Sequence, residues 1–151
     1  MTLPLGFAYS AVYAGIRHAR KDDLALIVSG LPANAAAVFT QNRVQAAPVR
    51  LCRKHLKLSK GLAGAVLINA GNANCATRTG DRVAAASCRA AAKLLRLKPF
   101  HVLPASTGVI GVELDAHRRA ALVEPVPLLR AHAVPPKRSI DGNLAPAARR
   151  R

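Results

Sequence analysis

Few residues in this chain are of a type and spacing that could do chemistry. Ser106-Thr107-Gly108 sets a hydroxyl beside a glycine N–H. Both are donors of the kind that stabilises negative charge on an oxygen, and glycine lets a backbone approach closely. Taken alone, the triplet reads as a turn at the end of a strand over His101-Val102-Leu103-Pro104. Asn69-Ala70-Gly71-Asn72-Ala73-Asn74 forms a second polar cluster, whose amides suit loop-stabilising hydrogen bonds better than anion binding. His18, His55, His101, His117 and His132 are scattered with no i, i+4 pair and read as surface histidines rather than ligands or bases. Cys52, Cys75 and Cys88 are odd in number and lack a C-x-x-C pair, which supports neither a disulfide framework nor a zinc site. Asp22-Asp23 follows Arg17, Arg20 and Lys21, a pattern of local charge compensation rather than metal binding. No phosphate loop or nucleotide fingerprint occurs.

The elements that must hold these groups can be traced by pattern. Leu24-Ala25-Leu26-Ile27-Val28 is a short apolar run between charged and glycine-containing turns, which predicts a buried strand. A second strand is expected over Ala35 to Thr40, after the breaker Leu31-Pro32, and a helix from Pro48 through Leu56, ended by Gly61 and Gly64. Ala63 to Asn69 is the strongest strand candidate. Asp81 suits the N-cap of a helix from Arg82 to Arg96. Its Arg82, Arg89, Lys93 and Arg96 form a solvated stripe opposite Val83, Ala84, Cys88, Ala91, Leu94 and Leu95. From Leu122 onward the chain holds five prolines and ends in Ala-Ala-Arg-Arg-Arg, so an irregular tail is expected.

The 151 residues are one domain's worth of chain, and 51% hydrophobic content is enough for a core. The formal charge of +16 is compatible with a small basic nucleic-acid-binding protein. Against that stand the 3% aromatic content, too little for base stacking, and the absence of a recognised binding motif. Nonspecific association with nucleic acid is all the charge implies. The opening residues lack a basic segment leading into an apolar one, and no apolar run nears the roughly 20 residues of a membrane span. A cytoplasmic, membrane-free protein is expected.

Several segments, in order, resemble the ornithine acetyltransferase family, also called bifunctional glutamate N-acetyltransferases. They are Gly6-Phe7, Ala14-Gly15-Ile16-Arg17, Asp23 to Ser29, Ala36 to Asn42, Ala46-Ala47-Pro48-Val49, Ile68 to Asn74 and Pro104 to Gly111. The resemblance implies an α/β fold with mixed sheets packed between helical layers. Residues 1–118 would supply the N-terminal, α-chain-like part, and residues 119–151 form a basic Pro/Arg-rich tail without family likeness.

The resemblance also implies acetyl transfer from N-acetylornithine to glutamate in arginine biosynthesis, through an acetyl-threonine intermediate. The family precursor cuts itself before that threonine. Thr107 and Gly108 match the family pair that supplies the oxyanion hole. No metal and no cofactor is implied; acetyl-CoA is an alternative donor substrate. The family's Met-Ala-Thr-Met-Leu cleavage segment and its later substrate-binding positions have no match here, as a truncated, frameshifted or split gene would produce. Inactivity of the chain alone is therefore expected. So is a partner, a C-terminal, β-chain-like half carrying the nucleophile in a hetero-oligomer, without which apolar surface would stay uncovered.

Overall fold

The computed structural model describes residues 6–114. The expected domain boundary at 118/119, the tail beyond it, His117 and His132 lie outside the described residues. The order is β1 (Phe7–Val12), β2 (Leu24–Asn34), α1 (Ala47–Leu58), β3 (Leu62–Asn72), α2 (Gly80–Leu95), a short 3-10 turn (Pro99–His101) and β4 (Val102–Val109). The four strands form one sheet in the order β1-β2-β3-β4. β1, β2 and β3 run antiparallel, and β3 and β4 pair in parallel across α2. This is the mixed α/β class expected, with one sheet and one helical layer among the described residues.

Alternation along the strands sends Leu24 and Leu26 of β2, Ala65 and Leu67 of β3 and Val102 of β4 to a single face. There they meet Val83, Cys88, Ala91 and Ala92 of α2, with Leu51 of α1 alongside. Fully burying such an aliphatic side chain stabilises by about 1.5–3 kcal/mol. On the other face Ile27, Val66, Ile68 and Leu103 are only partly buried.

Several elements differ from the pattern reading. Leu31-Pro32 does not end β2: the register shifts between Val28 and Ala33, and pairing resumes with Ala33 opposite Ala63. A bulge leaves Pro32 no ladder hydrogen bond to donate, which is how a strand tolerates proline. The segment Ala35 to Thr40 is therefore not a strand; Val38 is 99% exposed, and Phe39 instead lies under the Arg53 guanidinium, 5.1 Å from the ring centre. Gly64 lies inside β3 rather than ending α1. β1, which no apolar run announces, pairs with β2 from Phe7 opposite Ser29 to Val12 opposite Leu24.

Asp81 is not the N-cap of α2. The cap position is Thr79, and Asp81 sits in the first turn, where a carboxylate favours the helix dipole. It pairs with Arg50 of α1 at 2.8 Å, an exposed bridge worth no more than about 1 kcal/mol. The basic stripe of α2 is exposed as expected, whereas Leu94 is 38% exposed and Ala92 takes its place in the core.

His55 is not a surface residue. It lies on the buried stripe of α1, 7% exposed, and its Nδ1 is 2.8 Å from the Val102 carbonyl. The ring must donate there, so Nδ1 carries the proton in the neutral form. Burial lowers the pKa from its ordinary 6.5, opposed by the bond to Val102 and aided by Lys54. The unfolded chain thus binds the proton more readily. His55 contributes stability above pH 6.5 that is lost as pH falls through its folded value. Denaturant unfolding from pH 7.5 to 5 should show stability falling on acidification, with the fall reduced in His55→Gln. An identical pH dependence in the variant would refute this.

Candidate active site

The sheet's C-terminal edge builds the site. In the β3–β4 register Ala70 faces Thr107 and Gly71 faces Gly108. The Ser106-Thr107-Gly108 triplet is thus the last part of β4 itself, not a turn beyond the strand. Within it the side chains diverge. Ser106 turns toward the helical side and donates to Asn69 Oδ1. Thr107, one residue on, points to the opposite face and is exposed.

Gly108 has a φ of +131°, and a Cβ built there would stand 2.2 Å from the Gly71 carbonyl carbon. Gly71 has a φ of +102°, and its own Cβ would meet Arg17 Cγ at 2.6 Å. Two facing glycines therefore let three backbone segments close on one another.

Thr107 and Gly108 open onto a cleft of about 870 Å³. Arg17, His18, Gly71, Val112 and Glu113 also line it. Among the described residues the Thr107 hydroxyl has no side-chain hydrogen-bond partner, so it is available to a ligand.

The loop after β3 is held by its own amides, as its composition suggests. Asn69 Nδ2 donates to the Asn72 carbonyl at 2.8 Å, Asn72 Oδ1 accepts the Asn74 N–H at 2.7 Å, and Asn74 Nδ2 donates to the Gly80 carbonyl at 3.0 Å. The segment after β4 is tied down to that loop. Ala73 N–H donates to the Val109 carbonyl, Gly111 N–H to the Cys75 carbonyl, and Asn72 Nδ2 to the Val112 carbonyl. Glu113 then accepts from the Thr79 hydroxyl and from the backbone N–H groups of Arg78 and Thr79. These bonds, the Thr79 hydroxyl foremost, hold its carboxyl below the usual range. Glu113 thus does the capping that Thr79's own side chain does not.

Asp23 also departs from expectation. It is 2% exposed, and its partners are backbone amides rather than basic side chains: Ala14 N–H at 2.6 Å and Arg17 N–H at 2.8 Å. It fixes the turn that carries Arg17 to the cleft. The three cysteines are free. Burial pushes the Cys52 thiol up to about 11 and that of Cys88 up to about 12, so neither is thiolate near neutrality. No group of three metal-ligating side chains occurs among the described residues, and none of their helices is long and apolar enough to cross a membrane.

The ArgJ family profile matches residues 8–135. The arginine biosynthesis bifunctional protein ArgJ of Nitratidesulfovibrio vulgaris is 48% identical over 124 residues, covering 78% of this chain and 30% of its own length. That of Caldanaerobacter subterraneus is 50% identical over 117 residues, covering 77% and 28%. The chain thus spans about 30% of the length of the curated relatives it matches. Among solved structures, ornithine acetyltransferase from Mycobacterium tuberculosis complexed with ornithine superposes with a TM-score of 0.73 at 34% identity, covering 82% of this chain and 67% of that one. The Bacillus halodurans ArgJ structure gives 0.73 at 29% identity, with 85% and 69% covered. A profile match over most of the length, close relatives and a shared fold agree: this chain belongs to the ArgJ family of arginine-biosynthesis acyltransferases.

Proposed function

We propose that the cleft holds the acyl group of an N-acetylated amino acid while the Thr107 hydroxyl and the Gly108 N–H serve as its oxyanion hole. The observation that carries this reading is their placement: adjacent, exposed, and in the wall of the large cleft. The donor is N-acetylornithine, with acetyl-CoA as an alternative, and the acceptor is glutamate. A threonine in the C-terminal part of the family's architecture attacks the acetyl carbonyl. Negative charge gathers on the oxygen, the ornithine amine leaves with a proton, and the acetyl group rests on the threonine oxygen as an ester. The glutamate amine then attacks that ester, with the same two donors again facing the oxyanion. The steps need no redox or metal cofactor.

Coverage supports a two-chain arrangement. The same stretch fills 69% of the solved Bacillus halodurans chain but about 30% of the full-length relatives, as expected if the solved chain is one piece of a divided protein. Such a partner would also cover the half-open sheet face of Ile27, Val66, Ile68 and Leu103. Alone, the chain is expected to be inactive, and its site of action is the cytoplasm.

Reconstituting the chain with a C-terminal family segment and supplying N-acetylornithine labelled in the acetyl group tests this. Label should appear on a threonine of that segment and pass to glutamate. Transfer at the same rate without this chain, or none from an assembled complex, would overturn the proposal.

A further inference from the structure

Arg17 stands in the cleft without a task in the mechanism above. Its backbone is pinned at two points: the N–H donates to the buried Asp23 carboxylate at 2.8 Å, and the carbonyl accepts from the Tyr13 hydroxyl at 3.4 Å. Its side chain passes over Gly71, so close that a methyl group on that glycine would strike Arg17 Cγ, and Gly71 in turn lies against Gly108. The stem of the arginine is thereby stacked, through one glycine, beside the residue proposed to receive the oxyanion.

Among the described residues the guanidinium has no ion-pair or hydrogen-bond partner. The ion pair found among the described residues is Arg50 with Asp81, on the far helices. The carboxylate in the cleft wall is that of Glu113, and it is turned to the N-terminus of α2, where Arg78 and Thr79 hold it. An arginine held at its backbone thus lines a cleft whose own carboxylate is committed to a helix.

We propose that Arg17 recognises the α-carboxylate of the amino-acid substrate and so selects an N-acetyl amino acid over an N-acetyl amine. This rests on the acyl-binding reading above. In an α-N-acetyl amino acid the carboxylate is attached to the same carbon as the amide nitrogen. Arg17, whose stem crosses Gly71 in the same cleft that Thr107 and Gly108 line, can bring its guanidinium to that carboxylate when the acetyl carbonyl faces Thr107 and Gly108. Arginine suits the task because its planar fork binds a carboxylate through two parallel charge-assisted bonds.

The test titrates the isotope-labelled full chain with N-acetylornithine and with N-acetylputrescine, which keeps the acetyl amide and the amine but lacks the carboxylate. The wild-type chain should bind N-acetylornithine about tenfold more tightly or better, the value of one charge-assisted contact. Arg17→Met should reduce that preference to less than about twofold while leaving N-acetylputrescine affinity unchanged, and Arg17→Lys should restore part of it. Amide signals of Thr107 and Gly108 should shift with both ligands in every variant. An undiminished preference in Arg17→Met, its loss in His18→Gln instead, or equal weakening toward both ligands would overturn the assignment to Arg17. If Thr107 and Gly108 signals respond to neither ligand in the wild type, the acyl-binding reading fails and this inference with it.

Discussion

On the proposed oxyanion role, a Thr107→Val chain assembled with a C-terminal family segment is expected to transfer acetyl about 10²- to 10³-fold more slowly, with the loss in kcat. Valine keeps the shape and removes the hydroxyl proposed to meet the oxyanion. The donor acts where charge develops, so ground-state binding should change little. The geometry makes the experiment clean. Thr107 is exposed, and among the described residues its hydroxyl holds no structural bond, so stability should stay within about 0.5 kcal/mol. Thr107→Ser should keep most of the rate. A decrease below about tenfold, or one matched by unfolding, would remove the hydroxyl from the mechanism.

Gly108→Ala should act through structure instead. Its Cβ would stand 2.2 Å from the Gly71 carbonyl carbon and 2.5 Å from Asn72 N, both backbone atoms that cannot rotate away. The positive φ adds strain for any side chain. Together these should cost about 3 kcal/mol or more. With a typical urea slope of about 1–3 kcal/mol/M, the midpoint should fall by about 1 M or more. A midpoint equal to that of the wild type would mean that β3 and β4 do not approach so closely in solution.

What could be seen in the sequence was whatever local pattern controls. Leu24–Val28 and Ala63–Asn69 announce strands because a continuous apolar run has nowhere else to go, and α2 announces itself by period. The extension of β2 past Pro32 was hidden because a bulge, not a propensity, accommodates the proline. His55 was legible in principle: with Pro48, Leu51 and Cys52 it completes an i, i+3, i+4, i+7 stripe that its charged neighbours Arg53, Lys54 and Lys57 disguise. For the site, the family likeness singled out Thr107 and Gly108, and close backbone approach at the glycine was expected, but not the structural reason it is needed there. That reason is the contact with Gly71, a partner 37 residues away fixed by a parallel register. Nothing local marks Asp23 or Glu113 either, since both serve amides brought to them by the fold.

The parallel pairing of β3 with β4 has a kinetic side. β1 and β2 are joined by the short connection between Val12 and Leu24 and can zip locally, but Gly71 and Gly108 can meet only after the whole connection through α2 has been ordered and docked. Contacts so distant along the chain form late in folding and open early in local fluctuations. Pulsed hydrogen exchange during refolding should therefore protect the amides shared by β1 and β2 before that of Thr107, and amides protected in the reverse order would contradict it. The cleft wall of Thr107 and Gly108 would then double as a reporter of completion, formed only once the crossover helix is in place.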